Sequence, residues 1–332
     1  MSMKKIISLA VILAMAFILP SFGAEDGSVP LNGPYKDGTR LMFATGGEQG
    51  EYYSFGSAIA DMVNSKTATQ LRIVASSGAM SNIFALYRNN AKIAFTQSDV
   101  GFYASRGTRL FDFKVDNFST VAVLYPEPVQ IITLNPEITH IEHLKGKTVS
   151  VGAEGSGTYF NAVDVFSAYG MDINTDINAV YESFGDSVEA LKEGKIDAAF
   201  IVAGIPTPAV RDLSTSGKIS VVSFDDKHIM DLIAKCPYYG KIDIPKTTYG
   251  TDDNDVTVAV HSVIVARDDV KENDIYNFMY GVFENIDALK KENPRAEYLN
   301  LKTAAGYPAV GYHPGAVKYL GEKGILVSGK NK

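Results

Sequence analysis

Apolar positions in this chain alternate between two spacings. Short apolar runs at residues 40–45, 71–75 and 93–95 read as strands. Between them Phe55, Ile59, Met62 and Val63 recur at i, i+4, i+7 and i+8, and Ile83, Leu86 and Tyr87 form a shorter stripe, so the segments joining the strands read as helices, each with one buried face. The same grammar returns without sequence repetition: a strand at 148–151, helices at about 159–169 and 188–191, and a strand at 196–202. Strands that alternate with helices imply parallel pairing through crossover helices, hence an α/β fold.

Two long extended stretches interrupt this pattern. Residues 121–134 carry Pro126 and Pro128, residues expected to end a ladder, and 256–266 follow the turn-rich segment 249–255. Both read as crossings between two lobes. The expected organisation is a discontinuous first lobe of residues 24–128 plus 257–332, and a second lobe of 129–256. From Asp269 onward Ile275, Phe278, Met279, Val282, Phe283 and Ile286 share a helical face that would pack back on the first lobe.

The first residues set the compartment. Lys4 and Lys5 precede an apolar run at 6–19, then Pro20, Ser21 and Gly23, the pattern of a secretory signal peptide over residues 1–23. A retained anchor is the alternative, but the run is shorter than the roughly 20 residues that span a bilayer. The expected localisation is periplasmic. Cys236 is the single cysteine, so no internal disulfide can form and stability must come from a core, for which the 46% hydrophobic content suffices. A net charge of -7 argues against nucleic acid or an anionic membrane as partner, yet local amide dipoles can still hold an anion.

Two loops carry the candidate chemistry. The strand at 40–45 runs into Gly46, Gly47, Glu48, Gln49, Gly50, Glu51, Tyr52 and Tyr53, and the strand at 148–151 runs into Gly155, Ser156, Gly157 and Thr158. The first turn of a helix leaves backbone N–H groups unpaired at the positive end of its dipole, and glycines let an anion approach them. Neither loop is a P-loop or a dinucleotide fingerprint, since the terminal Lys and the glycine spacing are missing. Taken singly they read as a tight turn and a Ser/Thr helix cap. Together they place two anion-ready helix starts outside the carboxyl ends of strands, where open α/β sheets bind ligands. Further candidates are Asn82 at a helix start, Gln97, Ser98 and Asp99 at a strand end, Glu127 at the crossing, and Gly204 with Pro206 after the strand ending at Val202. Glu127 would repel an acidic ligand unless that ligand also carries an amine.

Catalytic readings find little support. Ser156 lacks the context of a nucleophile elbow, and with five histidines no triad follows from spacing. His140 and His143 lie three apart but in turn-like surroundings, so no metal and no cofactor are expected. The pairs Asp225/Asp226 and Asp252/Asp253 read as solvated turns.

The ordered motifs TGGEQGEYYSFGSAIA, FTQSDVGFYA, LYPEPVQII, GAEGSGT, ALKEGKIDAAF and GYHPGAVKYLGEKG resemble the TAXI-type solute-binding proteins of TRAP transporters over nearly the whole chain. The resemblance implies a two-lobed periplasmic binding protein fold of type II, with each lobe a mostly parallel sheet flanked by helices. It also implies a monomer that captures a small acidic ligand such as glutamate, glutamine or a related dicarboxylate and delivers it to TRAP membrane subunits driven by an ion gradient. It further implies Gly46, Gly47, Tyr52, Tyr53, Asn82, Gln97, Ser98, Asp99, Ser156, Gly157 and Thr158 as ligand-binding residues. Glu48 and Gln49 depart from the smaller residues the family often has there. A periplasmic sensor or a periplasmic hydrolase or lyase are the alternatives, since fold alone does not fix function.

Overall fold

The structure, a computed structural model, describes residues 33–109, 111–306 and 310–330. The signal peptide expected over residues 1–23 lies outside the described residues. The chain opens with three βα pairs: β1 (Arg40–Ala44), α1 (Glu51–Lys66), β2 (Gln70–Val74), α2 (Ala79–Tyr87), β3 (Ile93–Gln97) and α3 (Ser98–Arg106). A 16-residue strand, β4 (Phe118–Thr133), follows. Next come β5 (Thr148–Ser150), α4 (Gly157–Ala168), β6 (Asn178–Val180), α5 (Phe184–Lys192), β7 (Ala198–Val202), α6 (Pro208–Ser216), β8 (Ser220–Val221), α7 (Asp226–Lys235) and β9 (Gly240–Ile244). A second long strand, β10 (Asp255–Arg267), leads into α8 (Glu272–Phe283), α9 (Ile286–Glu292), α10 (Leu301–Ala304) and α11 (Pro314–Glu322).

The strands run in the order β2-β1-β3-β10-β4-β7-β5-β6, with β8 on β4 and β9 on β10. Pairing is parallel within β2-β1-β3 and within β7-β5-β6, as the helical crossovers require, and antiparallel wherever β4 or β10 takes part. β4 belongs to both halves: its residues up to Pro128 pair with β10, and from Val129 onward it pairs with β7. Pro126 and Pro128 therefore do not end the ladder, contrary to the expectation from sequence. The pairing with β7 begins only beyond them, so among the described residues no strand pairs with the other edge there, and a missing N–H can face it without losing a ladder bond.

Each half has its own core. In the first, Phe43 stacks on Phe95 at 5.2 Å and meets Phe278 of α8 edge-on at 6.2 Å, and the α1 stripe of Phe55, Ile59 and Val63 is fully buried against the same sheet. The face of α8 read from the sequence is buried at Ile275, Phe278, Met279 and Val282. In the second, Phe166 of α4 packs on Phe200 of β7 at 5.3 Å among Val149, Val165 and Ile131. Tyr87, assigned to a buried stripe on sequence grounds, is instead 47% exposed at the last turn of α2.

Candidate functional site

Four helices begin at one cavity. Gly50 caps α1 without a side-chain bond, and Gly78, at φ +113° where only glycine is unstrained, caps α2. Across from them Ser156 caps α4 by accepting from the Tyr159 amide at 3.4 Å, and Ser183 caps α5 by accepting from the Asp186 amide at 3.2 Å. All four caps line a cavity of about 340 Å³. Each helix start leaves backbone donors without intrahelical partners, and each adds the positive end of a dipole. The loops are pinned where they leave the sheet. The Thr45 amide and hydroxyl both donate to the Val74 carbonyl at 2.9 Å, Ser76 Oγ donates to the Thr45 carbonyl at 3.0 Å, and the Gly78 amide donates to Ser76 Oγ at 3.0 Å.

The two sides meet directly. The Ser81 amide donates to the Gly155 carbonyl at 3.0 Å, and Gly155 has φ +77° with Ser81 against it. A side chain at Gly157 would run into Gln97, and one at Gly185 into Gln49. Glycine permits the close approach at Gly155 and Gly157, whereas the end of the exposed Gln49 side chain can move away from Gly185.

Half-buried Tyr52 and the buried Gln97 and Glu127 form a connected polar part of the lining. Gln97 Nε2 donates to Glu127 Oε2 at 3.0 Å; Tyr52 Oη lies 3.1 Å from the same oxygen and 3.1 Å from the Thr96 carbonyl. Burial pushes the Glu127 carboxyl up to about 8; the Gln97 and Tyr52 hydrogen bonds oppose this and the nearby Asp99 and Glu51 charges add to it. Burial likewise drives the Tyr52 phenol well above its usual range, reinforced by the Glu127 charge. Glu51 also lines the cavity, but its carboxylate faces Arg295 Nε at 3.3 Å, and both side chains are almost wholly buried. The Arg295 guanidinium also donates to the Ile205 and Pro206 carbonyls, so it ties the turn at Pro294–Tyr298 to the loop that follows β7.

Of the residues expected from sequence, Gly46, Gly47, Gly50, Tyr52, Gln97, Glu127, Ser156, Gly157 and Thr158 line this cavity. Six do not. Tyr53 is half-buried on α1. Asn82 is fully buried, its Nδ2 donating to the Thr45 carbonyl at 2.5 Å and the Phe95 carbonyl at 2.9 Å, so it ties the ends of β1 and β3 together. Ser98 Oγ accepts from the His261 amide at 3.2 Å. Asp99 accepts from Asn161 Nδ2 of α4 at 3.1 Å. Gly204 sits under Arg295, where a side chain would meet Nε at 2.9 Å, and the Pro206 carbonyl is held by the same guanidinium.

Sequence reasoning missed Ser76, Ser77, Ser183, Phe184, Gly185 and Asp186, all of them lining, and Arg295 behind them. Ser183 and Asp186 carry a readable signal, a Ser-x-x-Asp capping pattern before an apolar stripe. Arg295 carries none, because its partner Glu51 is 244 positions away in the chain.

Two mixed α/β halves joined by long antiparallel strands, with a cavity at the helix starts between them, define the periplasmic binding protein class of fold. Residues 43–324 match the NMT1-like family, and the chain belongs to that family. Among solved structures it is similar to the periplasmic binding protein BugD, with 11% identity, a TM-score of 0.54, and 86% of this chain and 93% of that one covered. It is similar also to MatC of Rhodopseudomonas palustris with bound malate, at 14% identity and a TM-score of 0.52, over 78% of this chain and 89% of that one. A third, from R. palustris with adipate, has 15% identity and a TM-score of 0.51, over 78% and 87%. At these identities the likeness is one of fold.

Proposed function

We propose that this chain is an extracytoplasmic solute-binding protein that captures a small acidic metabolite, of the class of glutamate, glutamine and related dicarboxylates, for ion-gradient-driven uptake through TRAP membrane subunits. The observation that carries this reading is the convergence of four helix N-termini on one cavity in which, among the described residues, no Lys, Arg or His is part of the lining. Such a site holds a carboxylate with backbone amides and the hydroxyls of Ser77, Ser156 and Thr158 instead of with a cation; those of Ser76 and Ser183 already donate to the Thr45 carbonyl and to Asp186. A volume of about 340 Å³ matches a metabolite of this size, since pockets for small molecules begin near 300 Å³. Two proteins that share the fold were solved with malate and with adipate, both dicarboxylates, which favours an acidic ligand here. The TAXI resemblance supports TRAP subunits as the partner and the periplasm as the compartment, with residues 1–23 removed on export.

In this reading binding needs no covalent chemistry. The acid enters between the two halves, its oxygens replace water at the amides of residues 46–49 and 157–158, and contacts such as Ser81 to Gly155 hold the halves together around it. A ligand that binds only the folded state adds about 2.7 kcal/mol of stability at a hundredfold excess over its Kd. Thermal unfolding of the mature protein should therefore shift upward with at least one of glutamate, glutamine, glutarate, succinate or malate. No shift with any of them, at concentrations up to millimolar, contradicts the proposal.

A further inference from the structure

Four acidic side chains line the cavity, and they differ in what already satisfies them. Glu48 and Asp186 are exposed to water, and Asp186 is engaged by the Ser183 hydroxyl at 2.5 Å. Glu51 is buried against Arg295. Glu127 is 1% exposed, and the groups facing it are neutral or acidic: Tyr52 and Glu51 from α1, Gln97 from the end of β3, Asp99 from the start of α3, Tyr125 on its own strand, and Val260 opposite it on β10. It is the buried cavity carboxyl with no cation beside it among the described residues. Its position is set firmly by Gln97 and Tyr52, which both contact Oε2 and hold the group at the cavity wall.

A buried carboxylate without a counter-charge is costly, and a cation brought by the ligand would satisfy it. We propose that Glu127 is the specificity-determining group of this cavity, receiving the ammonium group of a ligand whose carboxylate lies on the helix N-termini, which rests on the cavity being the ligand site. The ligand is then an amino acid-like zwitterion and not an unaminated dicarboxylate. Proton bookkeeping follows. Without a cation Glu127 titrates at about 8, so at pH 7 the carboxyl is mostly protonated, and an arriving ammonium displaces that proton to solvent. Affinity for an aminated ligand should then tighten by up to about tenfold per pH unit from pH 6 towards 8 and level off above it.

Calorimetry of the full mature protein with three matched pairs, glutamate and glutarate, glutamine and glutaramate, aspartate and succinate, decides the matter. In wild type the aminated member of at least one pair should bind about 10- to 100-fold more tightly than its partner, the range for a hydrogen bond to a charged group. Repeating the titration in buffers of different ionisation enthalpy at pH 7 should show close to one proton released. Glu127→Gln keeps an oxygen for Tyr52 and Gln97 but carries no charge, so the ratio within the responsive pair should fall to within about threefold and the proton release should vanish. Because the ratio is measured within one protein, a general loss of stability cancels from it. Equal or tighter binding of the unaminated members by wild type, or a ratio that survives Glu127→Gln, overturns the inference and leaves acid capture standing. Binding of none of the six overturns both.

Discussion

Thr158 and Gly47 both line the cavity, and substitutions at each test the proposed site in different ways. Thr158 is 3% exposed at the second position of α4 and lines the cavity, where its hydroxyl can donate to a charged acceptor. Thr158→Ala should weaken binding of the acid by about 1.5 to 3 kcal/mol, the range for a hydrogen bond to a charged group. Gly47 has open space where a Cβ would stand and no positive φ, so a side chain there fits the fold without strain. Gly47→Val should fold with a melting temperature close to wild type and lose the ligand-induced shift, because the added methyls occupy the approach to the 46–49 amides. Calorimetry with the tightest wild-type ligand checks both, and unchanged affinity in Gly47→Val would reduce the loop to a turn. The glycine loops were readable because glycine between a strand and a helix has few other uses. Asn82, Ser98 and Asp99 were placed in the site by the same logic of strand ends, but their side chains turn into the protein to hold neighbouring elements. The Glu51–Arg295 pair could not be read, since a single ion pair between the two ends of the chain leaves no local trace.

At the level of elements, the contact between α3 and α4 is sensitive to pH. Asp99 at the start of α3 accepts from Asn161 of α4, and one turn on Asp164 Oδ1 pairs with Arg109 at 2.7 Å while Oδ2 accepts from Tyr103 at 3.0 Å and Tyr239 at 3.3 Å. Burial, then the Asp164 charge, push Asp99 from the ordinary 3.8 up to about 7. The folded state therefore holds a proton that the unfolded state releases between pH 3.8 and about 7, and stability contributed here falls as pH rises through that window and is flat above it. Asp99→Asn keeps the acceptor for Asn161 and removes the titration. It should be more stable than wild type at pH 7, and the slope of unfolding free energy against pH between 4 and 7 should shrink by up to about 1.4 kcal/mol per unit, one proton's worth. Urea unfolding at several pH values measures this, and an unchanged slope would place the titration elsewhere. The alternation of β1 to β3 with their helices was legible because each element carries its own period. The passage of β4 through Pro126 and Pro128 was not, because whether a proline breaks a ladder depends on whether a partner stands at that edge. β6, β8 and β9 also escaped notice, being two to five residues long with mixed exposure.

Across the whole molecule, the strand β4 changes partner between Pro128 and Val129, and Glu127 lies at that change, so the group proposed to read the ligand also lies where the two halves join. The central claim is that backbone amides at converging helix starts, and not a basic side chain, hold the acid. A crystal structure of the protein with its tightest calorimetric ligand tests it most directly. The account predicts ligand carboxylate oxygens about 2.7 to 3.2 Å from amide nitrogens of residues 46–49 and 157–158, within the cavity lined by Tyr52, Gln97 and Glu127. A carboxylate paired instead with a Lys or Arg elsewhere on the surface, with those amides still facing water, would contradict it.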